Sequence, residues 1–213
     1  LRTSVEVRAT TYARQVEIRF CDDRGAQGFS WIVDEPATRT SHVLASDGRV
    51  WLVDPVRYEP ALEQARTLGG PVAVLQLLDR HNRDCAALAE RYGVEHLKVP
   101  DGVPGTPLRT IPVVRFPGWK ETALWWPERE TLIVAEVVGS NEYYTGGRAP
   151  VGMHPMLRAL PPKGLRSYSP RHLLMGHGAG VHGAAATPAL RQAHQRARRD
   201  IPRVLAKLPT LGR

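Results

Sequence analysis

Pro71–Gly93 reads PVAVLQLLDRHNRDCAALAERYG. Pro71 to Leu78 is a nearly continuous apolar run, the pattern of a strand covered on both faces. Ala86 to Tyr92 are good helix formers, with Asp84 as a plausible cap and Gly93 as the stop. Upstream, residues 59–68 read as a short helix ended by Gly69-Gly70. Before it, Ser41–Ala45 and Val50–Val53 form a hairpin around Asp47-Gly48, since Gly tolerates positive φ. Asp54-Pro55 stops the second strand. Gln15–Cys21 alternates Val16, Ile18 and Phe20 with charged residues, a half-buried strand, and Phe29–Val33 begins another.

Downstream, residues 94–116 are extended and proline-rich, with a strand at Val113–Phe116. Thr122–Trp126 and Thr131–Val138 make a second hairpin about residues 127–130. Residues 139–170 are rich in Gly, Pro, Tyr and Arg with weak periodicity, the composition of a functional or mobile segment. Arg171–Met175 is a short strand entering Gly176-His177-Gly178. Thr187 and Pro188 open a last, basic helix over residues 187–208, which Pro202 kinks. The order predicts one domain, residues 1–213, with sheets inside and helices outside.

The 213 residues are 42% hydrophobic and 23% charged, enough apolar surface for a core. No run approaches the ~18 apolar residues of a membrane span. No signal-peptide pattern is visible, and the cysteines, Cys21 and Cys85, suit a reducing cytosol, so a cytoplasmic protein is expected. The net charge of +8 is concentrated at one end. Arg191, Arg196, Arg198, Arg199, Arg203, Lys207 and Arg213 stand there against Asp200. Such a tail can neutralise phosphates. With no aromatic among its charges, a solvated helix face is favoured over nucleic-acid binding.

Together these pieces resemble the metallo-β-lactamase fold superfamily, which implies a four-layer αββα sandwich of α/β class. Trp51-Leu52-Val53-Asp54 stands where the family has Leu-Ile-Asp. Arg80-His81-Asn82-Arg83-Asp84-Cys85 stands at the metal motif His-x-His-x-Asp-His. Gly118-Trp119 precedes the later hairpin, where the family has a ligand histidine. Ala135-Glu136 ends that hairpin, where the family has Gly-Asp. Gly176-His177-Gly178 matches the last ligand motif.

By that correspondence the first metal site falls on Arg80, Asn82 and Trp119 and is lost, because neither guanidinium nor indole is an ordinary zinc ligand. The second falls on Asp84, Cys85, Glu136 and His177, all zinc-ligating types. A one-residue shift brings His81 into the ligand row and misaligns Asp84. The cofactor is therefore none, or one divalent ion, zinc foremost.

Loss of three ligands on one side favours a metal-free or weakly metal-binding protein that acts on a small molecule in the vacated pocket. Arg80, His81, Asn82, Trp119, Tyr143, Tyr144 and His154 would line it, with residues 139–170 as its rim. The alternative is a mononuclear hydrolase of an ester, thioester or similar bond. A further alternative is nucleic-acid binding through the C-terminal Arg cluster. No membrane partner is expected, and a homo-oligomer is left open. No residue is assigned a catalytic role. There is no Gly-x-Ser-x-Gly elbow, and Gly176–Gly180 lacks the Lys-Ser/Thr of a P-loop.

Overall fold

The computed structural model describes residues 17–81 and 83–202. The expectations for Gln15, Val16 and Asn82 and for residues 203–213 lie outside them. One mixed sheet is built from β1 (Glu17–Asp23), β2 (Phe29–Asp34), β3 (Arg39–Ser46), β4 (Arg49–Val53), β5 (Gly70–Gln76) and β6 (Glu95–Lys98), in that spatial order. β1 to β4 run antiparallel, and β5 and β6 are added in parallel. α1 (Glu59–Leu68) and α2 (Cys85–Tyr92) are the crossovers that parallel strands require.

The second sheet contains β7 (Arg109–Phe116), β8 (Trp119–Trp126) and β9 (Thr131–Val134). β10 (Val138–Gly139) and β11 (Gly152–Met153) form a separate small pair, flanking α3 (Glu142–Thr145). β12 (His172–Met175) and β13 (Val181–His182) complete the second sheet, whose order is β13-β12-β9-β8-β7. α4 (Ala186–Arg196) packs on its β12 side.

The period-2 alternation of the strands sorts the core into layers. In β4, Trp51 and Val53 face the second sheet, while Val50 and Leu52 face the helices. β5 divides likewise, with Ala73 and Leu75 inward and Val74 outward. The inner layer joins Trp51 edge-on to Trp126, ring centroids 6.2 Å apart. The outer layer packs Phe29, Trp31, Val43 and Leu52 under Ala61, Leu62 and Leu88. This is the α/β sandwich that the sequence predicts. Among the described residues no helix is long and apolar enough to cross a membrane.

Some local expectations change. α4 starts at Ala186, one residue early, and ends at Arg196 rather than running on to Pro202, and the Thr187 hydroxyl donates to the Pro170 carbonyl instead of capping. Residues 139–170, read as irregular, contain α3, β11 and the end of its partner β10.

His42 in β3 is buried, with Nδ1 2.8 Å from the Ser30 hydroxyl. Burial pushes its pKa down to about 4. The unfolded chain, titrating near ~6.5, therefore binds more protons between those values. The His42 contribution is complete above pH ~6.5 and lost as pH falls toward 4, with about 2 kcal/mol gone by pH 5. Urea unfolding of the parent should weaken from pH 7 to 5 by that much more than His42→Asn does.

Candidate metal centre

The site lies where loops leave both sheets, and Asp54 begins it. This residue follows β4, is 1% exposed, and accepts from the Leu77 backbone N–H at 3.1 Å through Oδ1. Its Oδ2 lies 3.1 Å from His81 Nδ1. Burial works to raise the Asp54 pKa, but His81 and then Arg83 hold it below the ordinary range. An ionised carboxylate can only accept, so His81 Nδ1 carries a proton. In the neutral ring the lone pair then sits on Nε2, which is buried without a hydrogen-bond partner.

His177 repeats the arrangement from the second sheet. Its Nδ1 donates to the Ala37 carbonyl at 2.7 Å, and its Nε2 is buried and unpartnered. Burial, with Arg83 nearby, pushes its pKa down to about 3, so the ring is neutral at pH 7. Tyr144 stacks on it at 5.6 Å.

Glu136 follows β9. Ligand atoms of His81, Glu136 and His177, one from each, all lie within 4.8 Å of one another. The turn presenting Glu136 hangs on Glu121 in β8, a fully buried carboxylate. Glu121 Oε1 accepts from the backbone N–H groups of Ala135, Glu136 and Val137 at 2.9–3.2 Å. Burial pushes its pKa up to about 7, against those hydrogen bonds.

Gly176 and Gly178 explain the small residues flanking His177. A Cβ on Gly176 would stand 2.4 Å from the Ala135 carbonyl oxygen. Gly178 has φ +96°, and a Cβ there would stand 2.2 Å from the Ser140 hydroxyl. The two ligand-bearing turns therefore approach only as glycine allows. Gly176→Ala should cost about 1–3 kcal/mol, as overpacking does, and lower the thermal midpoint.

Arg80 stands at the mouth of the site. Its Nη2 donates to Glu136 Oε2 at 2.5 Å, and its guanidinium lies 4.0 Å over the Trp119 ring. Trp119 in turn meets the edge of His154 at 4.8 Å. His154 Nδ1 accepts the Met156 N–H, so the neutral ring carries its proton on Nε2. That Nε2 is 3.8 Å from Glu136 Oε1. Burial pushes the His154 pKa down to about 4, which keeps the ring neutral. Tyr143 touches both Tyr144 and His154. The site opens into a cavity of about 270 Å³ whose lining includes Arg39, Arg80 and Arg83.

The structure thus gathers Arg80, His81, Trp119, Tyr143, Tyr144 and His154 with Glu136 and His177. It does not bring Asp84 and Cys85 into the ligand cluster. The Asp84 carboxylate accepts from the Arg57 backbone N–H at 2.7 Å and caps nothing in α2. Cys85 is 1% exposed in the core beneath α2, where burial raises its thiol well above the ordinary range. Sequence reasoning missed Glu121 and Arg83. Arg83 donates to the carbonyls of Thr40, Asp54 and Gly176, tying the start of β3 to the loops after β4 and β12. Glu121 stands between Lys120 and Thr122 at the polar start of β8, so its burial left no signal in the sequence. Nothing in the sequence marks Arg83 either.

No family model matches the chain, and no curated protein matches it. Solved structures do. DIM-1 metallo-β-lactamase, in a crystal exposed to ceftazidime, is 13% identical with a TM-score of 0.53, covering 86% of this chain and 99% of that one. VMB-1 is 9% identical with a TM-score of 0.55, covering 85% and 96%. The 1–254 fragment of a protein described as a diflavin flavoprotein, from Nostoc sp. PCC 7120, is 13% identical with a TM-score of 0.55, covering 90% and 99%. The chain has the metallo-β-lactamase fold.

Proposed function

We propose that the chain is a metal-dependent hydrolase with one divalent ion, held by His81, Glu136 and His177. The observation that carries this is the pair of buried Nε2 atoms without partners. Both belong to rings whose other nitrogen is fixed, and both rings join one carboxylate in a cluster within 4.8 Å. Imidazole nitrogens left bare in a buried site are costly unless something accepts their lone pairs. Two imidazoles and a carboxylate are a zinc-type donor set with a coordination position to spare. An acceptor behind a ligand imidazole, as Asp54 and the Ala37 carbonyl provide, is the usual outer support of such a set.

A bound ion would supply a Lewis acid and a nucleophile near neutral pH. The chain's residues would do the rest. Asp54 and Ala37 hold the two rings in the ligating tautomer. Glu121 holds the turn that offers Glu136. Arg39 is held by Glu35, and Arg80, released as Glu136 takes the ion, would meet an anionic group of the substrate. The half-buried Tyr143 offers apolar surface beside the charge. An anionic ester or thioester meets these conditions. The test is a panel of such substrates on zinc-loaded protein, with Glu136→Ala as control. Turnover that disappears in the variant supports the reading, and equal rates in both refute it.

A second reading, a metal-free binding protein, rests on Arg80. Its guanidinium already neutralises Glu136 and stacks on Trp119, a charge where the fold's first metal site stands. The two readings differ on Arg80→Ala. If Glu136 is a ligand, removing a cation beside it should raise zinc affinity by about tenfold or more, from the Coulomb repulsion relieved. Competition with a chromogenic chelator measures this. Unchanged, negligible binding in both proteins would favour the metal-free reading.

A further inference from the structure

A cavity of about 540 Å³ lies between residues 160–168 and α4. It shares no lining residue with the candidate metal centre. Its size is that of a small-molecule pocket. Leu165 and Leu190 are buried beneath it, Tyr168 forms part of its wall, and Leu160 is 71% exposed at its edge. His194 joins helix to loop where its Nε2–H donates to the Pro162 carbonyl at 3.2 Å, its Nδ1 lying 2.9 Å from the Leu190 carbonyl.

The charges around this apolar floor have one sign. Lys163 and Arg166 come from the loop, and Arg191 and Arg198 from the helical side. No carboxylate lines the cavity, and among the described residues none of the four is in an ion pair. Arg191 spends one N–H on the Ser169 hydroxyl and Arg198 one on the Ala159 carbonyl. Each guanidinium has five, so most have no partner among the described residues. Like charges around a concave apolar wall focus a positive potential into it, and a bound anion relieves their repulsion.

We propose that this cavity binds a small amphipathic anion, an aromatic or alkyl group bearing a phosphate-like or carboxylate head. The head would sit among the four cations, where the arginine forks match two oxygens at once. The apolar part would cover Leu160, Pro161 and the Tyr168 ring, above the buried Leu165 and Leu190. A concavity with an apolar floor fits one small molecule better than a nucleic-acid backbone, which tracks an open groove.

The test is calorimetric titration of the full chain with 1-naphthylmethylphosphonate, a dianion with an aromatic group and no cleavable ester. Saturable one-to-one binding is expected. It should weaken at least tenfold in Lys163→Glu/Arg166→Glu and persist in Arg109→Glu/Arg148→Glu, two exposed arginines outside the cavity with the same change of charge. It should persist in Glu136→Ala, which separates this cavity from the metal centre. Naphthylmethanol and inorganic phosphate should each bind at least tenfold more weakly, since each lacks half of the contacts. Four results would overturn the proposal: no saturation, equal weakening in both double variants, loss in Glu136→Ala, or phosphate alone binding as well. Displacement of the phosphonate by a short single-stranded oligonucleotide of higher affinity would overturn it too, assigning the face to nucleic acid.

Discussion

His81→Ala is expected to weaken zinc binding by at least about 100-fold, the upper end of what losing even an outer-shell partner costs. The expectation follows from the single unpartnered nitrogen this ring contributes. Its Nδ1 is occupied by Asp54, so Nε2 is the atom left to ligate. Alanine removes that lone pair and leaves one imidazole and one carboxylate, too few for a stable site. The fold should survive. His81 sits in a turn after β5, outside both hydrophobic core clusters. A chelator-competition titration reads the affinity, and circular dichroism confirms that the variant is folded. Parent-like zinc affinity in a folded His81→Ala protein would remove His81 from the site.

Asp54→Asn tests the tautomer argument without touching a ligand. The carboxylate serves two donors, the Leu77 N–H and the His81 Nδ1–H. An amide has one oxygen, so it can satisfy only one of them, and its NH₂ must face the other. Facing His81, the NH₂ requires Nδ1 to accept, which moves the ring proton to Nε2 and abolishes the ligating lone pair. Facing Leu77, it leaves two donors opposed in a buried place, a cost of about 1–3 kcal/mol. Zinc affinity should therefore fall about 10–100-fold, the range for outer supports of a metal site. Stability should fall by no more than the buried-donor cost. If His81 is merely a packed core histidine, stability alone will change.

Much of the fold was legible because its signals are local. The apolar run at Pro71–Leu78 became β5 at Gly70–Gln76, and residues 59–68 became α1. The Asp47-Gly48 turn joins β3 to β4 in register, Ser46 opposite Arg49. β6 at Glu95–Lys98 was hidden, since a four-residue edge strand of mixed polarity carries little periodicity. The site was legible in part. Glu136 and His177 stand at strand ends that hairpin and glycine signals locate. Asp84 and Cys85 do not, because the turn after β5 has its own path. In that turn His81 points into the site, while Cys85, four residues on, opens α2 and enters the core. Spacing to a family motif cannot resolve that, whereas the hydrogen bond from His81 to Asp54 does.

Metal content measured by elemental mass spectrometry is the most direct test of the three-ligand site. It needs untagged protein purified without chelator, beside His81→Ala and Cys85→Ser. The account predicts about one equivalent of a divalent metal in the parent and in Cys85→Ser, and almost none in His81→Ala. Metal kept by His81→Ala and lost from Cys85→Ser would contradict it, as would a parent that holds no metal even after incubation with zinc.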